Sequence, residues 1–126
     1  MRGEAAREEG SATAERTRAW EKTRKCRELR QGLADNLEAR GLVEPIYHEL
    51  LARYIELWCE FQALTEDIRE RGVTVWDDKR GMLVENRSCT IRHQTSQKMN
   101  DIYKALGFCD ISSGALRPES GDDDEL

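Results

Sequence analysis

The chain has 126 residues, which suits one domain with a short appendage at each end. Apolar residues make up 38% and charged residues 36%, and 20 basic against 25 acidic side chains give a net charge of -5. The sequence contains no run of about 18 apolar residues, which excludes a transmembrane helix, and its charged start lacks the apolar stretch of a signal peptide. We therefore expect a cytosolic protein.

The residues that most often bind metals lie far apart in the sequence, and none forms a CxxC pair. They are Cys26, Cys59, Cys89, Cys109, His48 and His93. Structural zinc sites usually draw their ligands from close pairs. We therefore expect free thiols, some of them buried, and neither a metal site nor a cofactor.

Charge is segregated along the chain. Residues 14–30 carry seven basic and three acidic side chains, and residues 79–104 carry six basic and two acidic ones. Between them, residues 44–71 hold three basic and seven acidic side chains, and residues 110–126 hold one basic and six acidic ones. Because screening limits each charge to its neighbourhood, two basic segments can bind anions although the whole chain is acidic.

The first 40 residues are predicted to be a mobile basic segment that becomes helical from about residue 12. Residues 1–11 mix Gly, Ala, Glu and Arg without an apolar period. From Ala12 to about Arg40 strong helix formers dominate, with Trp20 and a few leucines as a thin apolar line and Gly32 as a weak point.

The central helix, over residues 44–71, carries the clearest pattern. Pro45 suits its first turn and Gly72 its end. Its apolar residues recur every three or four positions and form a stripe wide enough to face two neighbours. This surplus predicts contacts between copies of the chain through Tyr47, Leu50, Leu51, Tyr54, Leu57, Trp58, Phe61, Leu64 and Ile68.

A β-hairpin and a last helix complete the predicted core. The β-prone pieces at 73–76 and 82–84 flank a five-residue loop that ends in Gly81, which favours a hairpin over residues 73–84. A helix at about 88–106 follows and ends at Gly107. We thus predict a mainly all-α fold, with an antiparallel helical hairpin core at 41–109 and a β-hairpin between its helices. Residues 110–126 are predicted to be an acidic flexible tail.

No group of residues looks ready for catalysis. The sequence contains neither a GxxxxGK phosphate loop nor a GxGxxG motif. His48 and Cys59 lie on a helix committed to packing, and the acidic pairs at 66–67 and 77–78 are better explained as a solvated face and a turn. We therefore expect a protein that is not an enzyme.

The two basic segments are candidates for binding nucleic acid. Lysine and arginine neutralise phosphates and release counterions, which gives affinity without sequence choice. A solvated, salt-bridged helix face explains the first segment equally well. The candidate DNA-binding residues are Arg16, Arg18, Lys22, Arg24, Lys25, Arg27, Arg30, Arg87, Arg92, Lys98 and Lys104.

The order of these parts resembles the small subunit of phage terminases. The matching features, within roughly residues 32–116, are Gly41-Leu42, Tyr54, Leu57, Gly72-Val-Thr-Val75, Gly81 and Leu106-Gly107. The chain departs from the family pattern at Asn86-Arg87, where Asn-Pro is common, and after Gly107, where it reads Phe108-Cys-Asp-Ile.

The resemblance implies a non-enzymatic protein that works in the host cytoplasm and is not a stable part of the mature virion. It also implies rings of about eight to eleven copies, binding of double-stranded viral DNA when packaging starts, and recruitment of the large ATPase–nuclease subunit. The acidic tail residues Asp122, Asp123, Asp124 and Glu125 are the candidate contact with that subunit.

Two other interpretations stay open from the residues alone. One is a small dimeric helical regulator that binds DNA. The other is a coiled-coil adaptor that binds only protein. The mass of the assembly separates a ring from a dimer, and salt-dependent DNA binding separates both from the adaptor.

Overall fold

The computed structural model of the chain describes residues 2–108, with side chains from residue 12 onward. Within this range the elements are α1 (Arg2–Glu21), α2 (Arg24–Ala39), α3 (Pro45–Arg71), β1 (Thr74–Asp77), β2 (Met82–Glu85) and α4 (Arg87–Ala105). The predicted mainly α fold with a β-hairpin between two helices is confirmed. None of the helices in this range combines the length and apolar character needed to span a membrane.

The N-terminal segment differs from the single helix that we predicted for residues 12–40. It forms two helices that meet at Thr23, and the first of them starts at Arg2. The Thr23 hydroxyl donates to the Trp20 carbonyl at 2.7 Å and accepts from the Cys26 amide at 3.2 Å, so one side chain ends α1 and caps α2. Gly32, the predicted weak point, lies inside α2.

Helix α3 is the central element, and α4 runs antiparallel to it as predicted. At one end the Ser88 hydroxyl donates to Asp67 at 2.6 Å, and at the other the rings of Tyr54 and Tyr103 stack with centroids 5.4 Å apart. Since the residue numbers fall along α3 as they rise along α4, the two helices have opposite directions. This is the helical hairpin expected from the sequence.

Helices α1 and α2 cover another side of α3. Trp20 packs its edge against the ring of Trp58, with centroids 5.6 Å apart. Farther along, Arg16 forms an ion pair with Glu70 at 2.5 Å. Cys26 of α2 lies next to Cys59, with the sulfur atoms 3.6 Å apart. The break at Thr23 therefore lets α1 follow the C-terminal half of α3 and α2 the N-terminal half.

The apolar core lies between α2, α3 and the end of α4. Its buried members are Cys26, Leu37, Leu51, Ile55, Cys59, Leu106 and Phe108. Arg40 closes this core, because its guanidinium donates to the Leu106 carbonyl at 2.7 Å and lies 5.2 Å from the Phe108 ring centroid. Gly107 has a φ of +83°, and an added Cβ would lie 2.8 Å from the same guanidinium, which explains a glycine here.

A buried polar corner joins α3, the hairpin and α4. Asn86, which is fully buried, donates to the Gly72 carbonyl at 2.9 Å and accepts from the Ser88 amide at 2.9 Å, so it caps α4. Asp67 accepts two hydrogen bonds from Arg71 and one from Ser88. Hydrogen bonds, first from Arg71 and then from Ser88 and Asn86, lower the pKa of the Asp67 carboxyl from 3.8 to about 2. The acidic residue that we interpreted as part of a solvated face thus fixes this corner.

Candidate nucleic-acid interface

Four of the predicted DNA-binding residues surround the junction of α1 and α2. They are Lys22, Arg24, Lys25 and Arg27, and all four are exposed. Arg24 pairs with Glu28 at 3.1 Å, but its side chain stays 84% exposed, so this pair binds it only weakly. Arg27 donates to the carbonyl of Lys22 across the junction at 3.0 Å, and its side chain stays exposed.

The position of these cations is unfavourable for the helix itself. Arg24, Lys25 and Arg27 lie in the first turn of α2, at the positive end of its dipole. Cations there cost a helix some tenths of a kcal/mol each, whereas an anion would be stabilised. A sequence selected only for helix stability would place acidic residues at this end. The arrangement therefore suits a ligand that is itself an anion, such as a nucleic-acid phosphate.

Three other predicted DNA-binding residues make contacts within the subunit. Arg16 forms the ion pair with Glu70, and Arg30 approaches the sulfur of Cys26 at 3.9 Å. Arg92 lies 5.4 Å from the Phe61 ring centroid and donates to the Thr65 hydroxyl at 3.2 Å. These contacts engage guanidinium groups that, from the sequence alone, were as suitable for binding DNA as the other basic residues. Arg16 and Arg92 are also only partly exposed.

The remaining candidates divide between two places. Lys98 and Lys104 are exposed along α4. Arg18 of α1 and Arg87 of α4 are also exposed, and they lie together on a groove at the hairpin end of the molecule. The structure thus brings one member of each basic segment to the same groove, which the sequence did not indicate.

This groove, which we call the α1–α4 groove, has a volume of about 710 Å³ and runs between α1, α3 and the start of α4. Its floor is mainly apolar and includes Leu64 and Ile91, while arginines and one glutamate stand at its edges. The lining residues are Thr13, Ala14, Thr17, Arg18, Glu60, Leu64, Arg71, Arg87, Ser88 and Ile91. An apolar floor fits protein side chains better than a phosphate backbone.

The α3 stripe, predicted as the contact between copies, packs largely inside the subunit. Leu51 and Leu64 are buried. The other seven members, Tyr47, Leu50, Tyr54, Leu57, Trp58, Phe61 and Ile68, are half-buried. Much of the apolar surplus on α3 is therefore covered by α1, α2 and α4, and a contact between copies through this stripe stays a prediction.

The hairpin exposes apolar side chains that sequence reasoning did not single out. Trp76 and Leu83 face each other across the two strands and are 60% and 61% exposed. Val73 and Met82 are also more than half exposed. Strand alternation could have placed Trp76 and Leu83 on one face, but only the fold reveals that residues 12–108 leave this face exposed.

The described residues contain no group of three or more potential ligands that could hold a metal ion. Cys26 and Cys59 are buried free thiols and Cys89 is half-buried. Burial and the neighbouring Cys26 raise the pKa of the Cys59 thiol from 9.0 to about 12, so the reactive thiolate is scarce at neutral pH. Cys109 and the tail candidates Asp122, Asp123, Asp124 and Glu125 lie outside the described residues.

A family model described as phage terminase, small subunit, matches residues 26–123. The matched region begins inside α2, includes the whole of α3, the hairpin and α4, and extends into the acidic tail. Neither a curated protein nor a solved structure matches the chain at a significant level. Because the family model covers well over half of the sequence, the chain belongs to the phage terminase small-subunit family.

Proposed function

We propose that this protein is a non-catalytic adaptor of viral DNA packaging. It binds double-stranded viral DNA when packaging starts, assembles with further copies into a ring, and recruits and regulates the large ATPase–nuclease subunit in the host cytoplasm. The family match over residues 26–123 supports a role in packaging. The exposed cations at the α1–α2 junction, Lys22, Arg24, Lys25 and Arg27, support DNA binding.

DNA binding at the junction rests on phosphate contacts. Each cation that neutralises a phosphate releases a counterion, so the affinity falls as salt rises, with a slope of about 0.9 per contact in a double-logarithmic plot. Four side chains around one helix end also act on the same stretch of DNA backbone. Because each copy of a ring would present the same four cations, the ring would concentrate positive charge in a repeating pattern.

A charge-matched pair of variants tests this part. Changing Lys22, Arg24, Lys25 and Arg27 to Gln is expected to weaken binding to duplex DNA at low salt at least tenfold and to reduce the salt slope. The control changes the same number of exposed cations elsewhere, Arg53, Arg69, Lys79 and Arg80. If both variants lose affinity equally, total charge governs binding and the junction is not the site.

The assembly and the tail have their own tests. Light scattering of the unchanged protein at micromolar concentration is expected to give a mass of many 14.5 kDa subunits. A mass of two subunits would contradict the ring. Removal of residues 118–126 is expected to preserve that mass and to weaken stimulation of the large subunit. Unchanged stimulation would separate the tail from that role.

A further inference from the structure

The hairpin presents an apolar face that nothing in the described part of the chain covers. Trp76 and Leu83 lie opposite each other on this face, beside the exposed Thr74 and Glu85. With 60% of its surface exposed, Trp76 alone offers roughly 150 Å². A two-stranded hairpin is marginally stable without further packing, and exposed apolar patches of this kind commonly mark protein contacts.

This face is held outward by the polar corner at the base of the hairpin. The backbone amide of Asn86 donates to the Val73 carbonyl at 2.7 Å. The side-chain amide of Asn86 donates to the Gly72 carbonyl and to the Asp67 carboxylate. On the other face of the hairpin, Val75 pairs with Val84, and both are half-buried. Turning the Trp76 face toward the helices of the same chain would break the hydrogen bonds of Asn86 to Asp67 and Gly72.

The α1–α4 groove has the size and chemistry to receive such a face. Its volume of about 710 Å³ accommodates a tryptophan and a leucine side chain together, and Leu64 and Ile91 provide an apolar floor. Arg18 and Arg87 at its edges can pair with Glu85, which lies beside Trp76 on the exposed face. Size, apolar character and charge thus complement each other.

We propose that the hairpin of one copy inserts Trp76 and Leu83 into the α1–α4 groove of the next copy. The two surfaces lie on the same chain and are different, so the contact is heterologous and can repeat from copy to copy until a ring closes. This inference rests on the proposed ring assembly and names the surfaces that form it. It also explains why the hairpin keeps large apolar residues outside a well-packed subunit.

Two complementary variants test this contact. Trp76→Glu removes the apolar side chain that the hairpin inserts, and Ile91→Glu places a charge on the floor of the α1–α4 groove. Light scattering of the full chain is expected to show that each variant alone falls to a single subunit of 14.5 kDa. Mixed in equal amounts, the two are expected to form a dimer, since the Ile91→Glu chain keeps an intact hairpin and the Trp76→Glu chain keeps an intact groove.

Controls keep the outcome interpretable. Ile46→Glu changes an apolar residue at the other end of α3 that is 54% exposed, against 60% for Trp76, and this variant is expected to keep the mass of the unchanged protein. Leu83→Glu and Ala14→Glu are second variants of the insert and the groove, both at exposed positions, and circular dichroism verifies that each variant is folded. The same mixing experiment applies to them.

The possible results separate this inference from the wider proposal. Variants that assemble like the unchanged protein would overturn the hairpin–groove contact while leaving a ring formed through other surfaces. If Trp76→Glu lowers the mass of the assembly while Ile91→Glu and Ala14→Glu do not, the hairpins pair with each other. That result would also overturn the hairpin–groove contact. If the unchanged protein is itself only a monomer or a dimer, the ring and this contact fail together.

Discussion

Helix α3 and the β-hairpin use their apolar residues in opposite ways. The stripe on α3 is the most apolar pattern in the sequence, yet α1, α2 and α4 cover most of it. The hairpin is short, but Trp76 and Leu83 remain exposed on its open face. The amount of apolar sequence in an element therefore does not reveal where a subunit offers surface to a partner. That depends on which neighbours the fold supplies.

The largest expected effect contrasts one leucine from each region. Leu51→Ala in the core of α3 is expected to lower the free energy of unfolding by about 2–5 kcal/mol, because Leu51 is almost fully buried. Leu83→Ala on the hairpin is expected to change the stability of an isolated subunit by less than about 0.5 kcal/mol. Urea unfolding measures both.

Protein concentration sharpens this contrast. If Leu83 contributes to contacts between copies, its effect on unfolding should grow as the protein concentration rises, since assembly stabilises the folded state by mass action. The effect of Leu51→Ala should persist at the lowest concentration. A large, concentration-independent loss for Leu83→Ala would show that the hairpin face stabilises the subunit itself.

The corner that holds the hairpin outward should depend on pH. The pKa of Asp67 is lowered to about 2 by its hydrogen bonds with Arg71 and its other donors, so the ionised form is favoured in the folded state. Because the pKa is lower in the folded than in the unfolded state, ionised Asp67 stabilises the fold at pH values above about 4, the pKa in the unfolded chain. This contribution to the free energy of unfolding disappears as the pH falls toward 2. The side chain is only 14% exposed, so the contribution is about 2 kcal/mol at neutral pH.

Asp67→Asn therefore tests the corner. It is expected to destabilise the protein by about 2 kcal/mol at pH 7 and to remove most of the pH dependence between about 4 and 2. Urea unfolding at several pH values measures this, with Asp78→Asn in the exposed hairpin loop as the matched control. If Asp67→Asn lowers the free energy of unfolding equally at pH 7 and pH 2.5, the shape of the Asp67 side chain rather than its charge stabilises the corner.

The smallest expected effect concerns the thiols. Cys26 and Cys59 are buried against each other, whereas Cys89 at the start of α4 is half-buried. Iodoacetamide at neutral pH should therefore modify Cys89 while leaving Cys26 and Cys59 unmodified until urea is added, as peptide mass spectrometry can determine. Rapid labelling of Cys59 in the folded protein would contradict the tight packing of α2 on α3.

Local sequence signals were sufficient to predict most of the helices and strands. The periodicity of residues 44–71, the proline at its start and the glycine at its end are local signals, and they predicted α3 to within one residue. The hairpin followed from two β-prone pieces around a loop that ends in glycine, and α4 followed from its apolar face and the glycine at its end. The break at Thr23 was missed, because composition favours a helix on both sides and the capping bonds of one threonine decide where it ends.

Which side chains are exposed for binding depends on how the helices pack. Arg16 and Arg92 look like Lys22 and Lys25 in the sequence, but their contacts with Glu70 and Phe61 exist only once the helices pack. Long-range contacts likewise covered much of the α3 stripe and brought α1 and α4 together in one groove, while the described residues leave the Trp76 face exposed. Burial depends on residues distant in the chain, so local sequence could establish the parts of this protein but not its exposed surfaces.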